Sequence, residues 1–295
     1  MVPADRSARY EITAVRYGTR LTTKSDVFLH YGLYGEPDEP MRMDYFFWVA
    51  RNAERTILVD CGFNEHSGAR RGRTMLCPPV QALRRLGVPA DTASLLIITH
   101  AHYDHVGNLD EFPAAEVVMS QREYEFWTSP LARRPLFATS AEAGDIESLR
   151  RARQAGRLRF PPRPDAAAPE RQQVAPGVDV VEVGGHTPGQ LIVLIGTGDS
   201  EAVLASDALH YYDEMRLNRP FAHVADLPAM YAGFDVLRDL SADGKRHLVA
   251  GHDPEVMQMF PPVGGSQHDA TAADLDSVGV RIGPRLPDAL TTRER

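Results

Sequence analysis

Short apolar runs recur along the chain, each bounded by polar or turn-forming positions. Thr56–Val59, Leu95–Ile98, Glu116–Met119, Val178–Val183, Leu191–Ile195, Ala202–Ala205 and His247–Ala250 are rich in Val, Ile and Leu and have the length of strands. Several are nearly continuous in hydrophobicity, as strands covered on both faces are. Helical stretches lie between them: Val80 to Leu86, which Gly87 terminates, Glu142 to Gln154, and Pro228 to Leu240. Pro228 suits a helix first turn and Asp226 suits its cap. Strands mixed with outer helices predict a layered α/β protein.

Two segments break this pattern. Residues 161–176 are rich in Pro and Ala and poor in large apolar residues, which predicts an exposed loop. From Gly264 to Arg295 large apolar residues thin out, which predicts an extended C-terminal tail. No linker cuts the first 260 residues into self-sufficient halves, so residues 1–263 read as a single catalytic domain.

Composition narrows the function. With 43% hydrophobic and 24% charged positions among 295 residues, the chain can bury a substantial core, and whole-chain disorder is excluded. Its 32 basic and 40 acidic residues give a net charge of −8, which opposes a nucleic-acid partner. Cys61 and Cys77 are too few for a disulfide framework and are expected to be buried or inert. The first residues carry no apolar export segment, and no run of eighteen apolar residues occurs, so cytoplasm is the expected location and no membrane is expected. Oligomeric state is left open.

What composition leaves unexplained is eleven histidines in an acidic chain. The apolar run Leu95–Ile98 leads straight into Thr99-His-Ala-His-Tyr-Asp-His105, which sets His100, His102, Asp104 and His105 within six residues. Imidazole nitrogen and carboxylate oxygen are ligands for zinc, iron and manganese, and a turn at a strand end can aim such side chains at one point. The spacing supports two neighbouring metals, His100 and His102 on one, Asp104 and His105 on the other. One cluster cannot complete two sites, so further ligands are expected at other strand ends. His186 follows the Val178 strand, Asp207 the Ala202 strand and His252 the His247 strand. Glycines beside His186 and His252 permit tight turns there. Asp60, which closes the Thr56 strand, reads either as a turn residue or as the acceptor that orients a ligand histidine. His30, His66, His223, His247 and His268 have no evident partner and read as ordinary surface or packing residues.

The ordered set His100, His102, Asp104, His105, His186, Asp207 and His252, with Asp60, resembles the signature of the metallo-β-lactamase superfamily over roughly residues 10–260. The resemblance implies an αβ/βα sandwich, two mixed β-sheets face to face with helices outside and two divalent metals at one edge. It assigns His100, His102 and His186 to one metal, Asp104, His105 and His252 to the other, and Asp207 as the bridge. Aspartate at 207, where antibiotic-hydrolysing members use cysteine or serine, argues against a β-lactamase. Met43–Val49, Thr56–Phe63, Gly72–Pro78, Asp104–Leu109 and Ser206–Tyr212 are most similar to the N-acyl homoserine lactonase group, which implies a quorum-quenching hydrolase. That group often has a tyrosine three residues after the bridging Asp; here His210 stands there, beside Tyr211 and Tyr212.

The expected mechanism is opening of a small-molecule lactone or ester by a hydroxide held between two metals, since a metal such as zinc brings the pKa of bound water to ~7. Zinc suits the ligand set, as do iron, manganese and cobalt. The leaving alkoxide would take its proton from Asp104, His210 or Tyr211. The aromatic run Tyr45–Trp48 and the pair Phe126-Trp127 read as core, with some side chains available to an acyl-chain pocket. A thioesterase of the glyoxalase II kind shares all seven ligands but needs a basic glutathione site, which the sequence does not reveal. A persulfide dioxygenase with one iron is a third reading, against which the two-metal ligand set speaks. A non-enzymatic metal binder is a fourth, disfavoured because no ligand is missing.

Overall fold

The computed structural model describes residues 7–162, 169–198, 200–263 and 279–283. Its strands, in chain order, are β1 (Glu11–Thr23), β2 (Pro40–Arg51), β3 (Thr56–Val59), β4 (Thr74–Met75), β5 (Ala93–Ile97), β6 (Glu116–Val118), β7 (Leu158–Arg159), β8 (Gln172–Ala175), β9 (Val178–Glu182), β10 (Leu191–Thr197), β11 (Ser200–Ser206), β12 (Arg246–Ala250) and β13 (Gly279–Ile282). They form two mixed sheets. One has the order β13-β1-β2-β3-β5-β6-β7 with β4 added alongside β1, and the other the order β12-β11-β10-β9-β8.

Strand alternation sorts the large side chains. In β2, Phe46 and Trp48 join a buried cluster with Val180, Val193 and Leu204 of the second sheet, while Tyr45 and Phe47 point to the opposite cluster. The aromatic run is thus a central strand covered on both faces. Leu83, Trp127 and Leu149, from helices Pro79–Arg85, Gln121–Thr128 and Ala143–Gln154, belong to the cluster outside the first sheet. Met230, Phe234 and Leu237 of helix Leu227–Ser241 pack with the second sheet. The architecture is the expected sandwich with helices outside. Among the described residues, no helix is long and apolar enough to cross a membrane.

All seven expected strands and all three expected helices form within a few residues of their expected bounds. Asp226 caps its helix by accepting from the Ala229 amide at 3.0 Å, and Gly87 follows its helix at φ 66°. Two expectations are corrected. Within the expected loop 161–176, Gln172–Ala175 forms β8 and pairs with β9, with Val174 buried. Within the expected tail, Gly279–Ile282 forms β13, adds to the edge of β1 and buries Val280 and Ile282. A strand of four residues closed by a neighbouring strand leaves little periodicity to read. The remainder of those segments, 163–168, 264–278 and 284–295, lies outside the described residues, as does His268.

Candidate metal centre

The site is built where strands of both sheets end. β3 runs parallel to β5, and β11 parallel to β12, so their C-terminal ends share one edge of the sandwich. β3 delivers Asp60, β5 delivers His100 to His105, β9 delivers His186, β11 delivers Asp207 and β12 delivers His252. Two non-glycine residues at these ends hold left-handed backbone, Asp60 at φ 63° and Ser206 at φ 47°. Such strain persists where surrounding contacts enforce it, as at functional sites. Gly185, at φ 89°, lies against the Met230 backbone, and an added Cβ would approach within 2.7 Å. At Gly251 a Cβ would meet the Ser206 carbonyl oxygen at 2.6 Å and Asp207 Oδ1 at 3.1 Å, so only glycine lets β11 and β12 close on the site.

Two groups of ligand-type atoms result. His100, His102, His186 and Asp207 converge in one, and Asp104, His105 and His252 in the other, all buried. Asp207 faces both groups. Its Oδ2 lies 3.2 Å from His186 Nε2 and 3.7 Å from His100 Nε2, and its Oδ1 lies 3.2 Å from His105 Nε2 and 3.1 Å from His252 Nε2.

Most of the rings are held from behind. His105 donates from Nδ1 to Asp60 at 2.8 Å, His186 from Nδ1 to the His223 carbonyl at 2.8 Å, and His252 from Nδ1 to the Asp44 carbonyl at 2.8 Å. His100 Nδ1 rests 3.2 Å from Thr99 Oγ1. In the neutral form of each ring, Nε2 then faces inward with a lone pair. His100 Nε2, His105 Nε2 and Asp207 Oδ1 are buried with no hydrogen-bond partner, and His186 Nε2 sits only 2.9 Å from His102 Nδ1. Converging buried acceptors without donors are costly unless a cation satisfies them, so the donor set fits divalent metals.

Electrostatics agree with that chemistry. Burial, reinforced by neighbouring histidines, holds His100 and His102 well below the usual imidazole range, and burial lowers His186. These rings are neutral and their lone pairs are free. Burial opposes a charge on His105, but Asp207, Asp60 and Asp104 outweigh it and raise its pKa. Burial alone would raise Asp207, yet the surrounding His105, His210, His252 and His100 hold it well below the carboxylate range.

Asp60 is fully buried and accepts from the Thr99 amide at 2.8 Å and from Thr99 Oγ1 as well as from His105, so it is no mere turn residue. His210 is buried in the cavity wall, stacked on Phe221 at 3.7 Å. Its Nε2 is 3.0 Å from Asp207 Oδ2 and its Nδ1 3.3 Å from Glu214 Oε1, neither in hydrogen-bond alignment. Burial works against its charge, but Asp207 and Glu214 prevail and hold its pKa up at about 9. Tyr211 is placed differently. Its hydroxyl donates to the Arg42 carbonyl at 3.1 Å, its ring packs near Phe28, and it does not line the cavity.

Sequence reading missed Glu123. This buried carboxylate accepts from the Ala101 amide at 3.0 Å, the Gly189 amide at 2.8 Å and Trp127 Nε1 at 2.6 Å, tying the loop of His100 and His102 to the loop of His186. The spacing Ser120-x-x-Glu123 is a helix-start signature, and Ser120 does accept from the Glu123 amide, but the carboxylate's long-range partners leave no local trace. His223, read as an ordinary residue, contributes its carbonyl to His186 and lines the cavity. Both cysteines are buried, and burial pushes the Cys61 thiol up.

The comparisons with known proteins point the same way. A probable metallo-hydrolase of Mycobacterium tuberculosis is 25% identical over 238 residues, covering 69% of this chain and 72% of that protein. An N-acyl homoserine lactonase of Bacillus thuringiensis is 23% identical over 234 residues, covering 74% of this chain and 85% of the relative. The solved structure of a quorum-quenching N-acyl homoserine lactone lactonase superposes with a TM-score of 0.67 at 22% identity, over 85% of this chain and 95% of that one. The metallo-β-lactamase superfamily profile matches residues 44–274, a span that contains Asp60 and all seven converging side chains, and the chain belongs to that superfamily.

Proposed function

We propose that this protein is a metal-dependent hydrolase of carboxylic esters that opens a small-molecule lactone. The observation that carries the reading is Asp207, whose two carboxylate oxygens face two separate buried ligand groups. His100, His102 and His186 would hold one divalent metal, Asp104, His105 and His252 the other, with Asp207 shared between them. Such metals, zinc or another of similar ligand preference, polarise a carbonyl oxygen and supply a nucleophile from water near neutral pH.

The chain's own residues do the rest. Asp60, the His223 carbonyl and the Asp44 carbonyl fix the tautomers of His105, His186 and His252, so that each Nε2 keeps its lone pair inward. His210 lines the same cavity as Asp104 and Asp207, and in this reading its Nε2 carries the proton for the departing alkoxide, with the Glu214 carboxylate 3.3 Å from its other nitrogen favouring the charged ring. Tyr211, with its hydroxyl committed to Arg42, is read as a packing residue. Similarity to the lactonases supports the lactone over other esters.

The test is a panel of lactones, open-chain esters and thioesters assayed with metal quantification and oxygen uptake. Lactone turnover that scales with bound metal, without oxygen uptake, is expected; a thioester preference or oxygen consumption overturns the reading. Asp207→Ala is expected to lose most of its bound metal and at least about 1,000-fold in rate, because it strips one ligand from each group. His210→Gln is expected to keep its metal and lose about 100-fold in kcat, within the range typical of general-acid catalysis.

A further inference from the structure

The cavity over the ligand cluster, about 300 Å³, is also lined by Arg20 and Arg73. The sheet register explains how they come together. A bulge between Arg16 and Gly18 resets β1 against β2, after which Gly18 pairs with Tyr45 and Arg20 with Met43. Met43 and Tyr45 line the cavity, and residues paired across strands share a face, so Arg20 faces the cavity too. On the other side of β1, β4 pairs Gly18 with Met75 and Thr19 with Thr74. β4 ends there, and Arg73, the residue before it, lines the same cavity as Arg20.

Two like charges lining one small cavity repel, and a protein would ordinarily place a carboxylate between them. This chain has 40 acidic residues to draw on, yet neither arginine forms an ion pair with a carboxylate among the described residues. Asp44 is taken by Arg16 at 3.3 Å and Arg42 at 3.2 Å, and it pairs with Thr19 on the other face of the sheet. Glu142 is taken by Arg70 and Arg71. Asp104 and Asp207 belong to the ligand groups. Among the described residues, Arg73 donates to two uncharged oxygens, Tyr103 Oη at 2.9 Å and the Arg71 carbonyl at 2.7 Å, and lies over the Tyr45 ring, while the buried Nε of Arg20 has no hydrogen-bond partner.

We propose that Arg20 and Arg73 bind an oxyanion group of the substrate, a carboxylate or a phosphate, so that the substrate is an anionic lactone or ester instead of one with a long neutral acyl chain. The inference rests on the hydrolase reading of this cavity. Planar guanidinium forks match both oxyanions, and a partly desolvated pair discriminates strongly against a neutral group. The cavity's small volume agrees with a compact charged substrate.

The experiment compares γ-butyrolactone bearing a ring carboxylate with its primary amide, on the metal-loaded wild type, Arg20→Gln, Arg73→Gln and Arg20→Lys; a phosphorylated lactone separates phosphate from carboxylate. Wild type is expected to prefer an anionic lactone by about tenfold or more in kcat/KM, mostly through KM. Either Gln variant should bring the ratio near one, Arg20→Lys should restore part of it, and circular dichroism should be unchanged. Equal turnover of charged and neutral lactones by wild type, or a ratio that survives both Gln changes, overturns the proposal. If none of the lactones is opened, calorimetric titration with the same compounds decides: Arg-dependent binding of the anionic lactones sustains the anion site while the lactonase reading falls, and Arg-independent or absent binding sinks both.

Discussion

Asp60 shows how much one residue outside the ligand set can decide. It sits in strained left-handed backbone, and its carboxylate is shared between Thr99 and His105. The His105 ring is thereby fixed with Nε2 toward Asp207. Asp60→Asn keeps the volume but removes the charge that makes Nδ1 the protonated nitrogen. Metal affinity is expected to fall roughly 10–100-fold, as for other outer partners of metal-binding histidines, with little change in fold. Equilibrium dialysis against a competing chelator, alongside circular dichroism, measures it; unaltered affinity would mean that the Asp60 charge does not orient the ring. His210 and Tyr211 are adjacent in sequence and both plausible proton donors there, but one faces Asp207 and the other the Arg42 carbonyl. That divergence follows from the backbone turning after β11, which no local pattern reports.

At the scale of elements, signals that act locally were legible. The cap of helix Leu227–Ser241 is an example: an Asp two residues before a Pro, with its carboxylate on the third amide beyond it. Asp226→Ala is expected to cost ~1 kcal/mol of unfolding free energy, read by chemical denaturation, while leaving bound metal unchanged. Strands that are short or interrupted by polar residues were less legible. β1 carries Arg16 and Arg20 within it, and its bulge shifts the alternation that would reveal it. β8 and β13 are strands only because β9 and β1 offer them an edge. Residues 93–97 and 178–182, by contrast, are apolar enough to declare themselves whatever their neighbours.

Across the whole molecule, the ligand groups join the two sheets. His100, His102, Asp104 and His105 leave the first sheet, and His186, Asp207 and His252 leave the second. Metals held there would cross-link the sandwich at one edge and bind the folded chain alone. Chelation is therefore expected to lower the melting temperature by about 10 °C, the effect of free metal near a thousandfold its dissociation constant on a domain of this size. Scanning calorimetry with and without chelator checks it, and Asp207→Ala should show a much smaller shift. The sequence by itself determined the layered α/β class, most strands, and the ligand-type residues, because apolar periodicity and the spacing of His and Asp are properties of neighbouring positions. Only the tertiary structure decided that Asp207 faces both ligand groups, that Glu123 ties two loops together, and that Arg20 and Arg73 line one cavity. Each depends on strand register and on chain ends brought together from distant segments, and such proximity is set by packing.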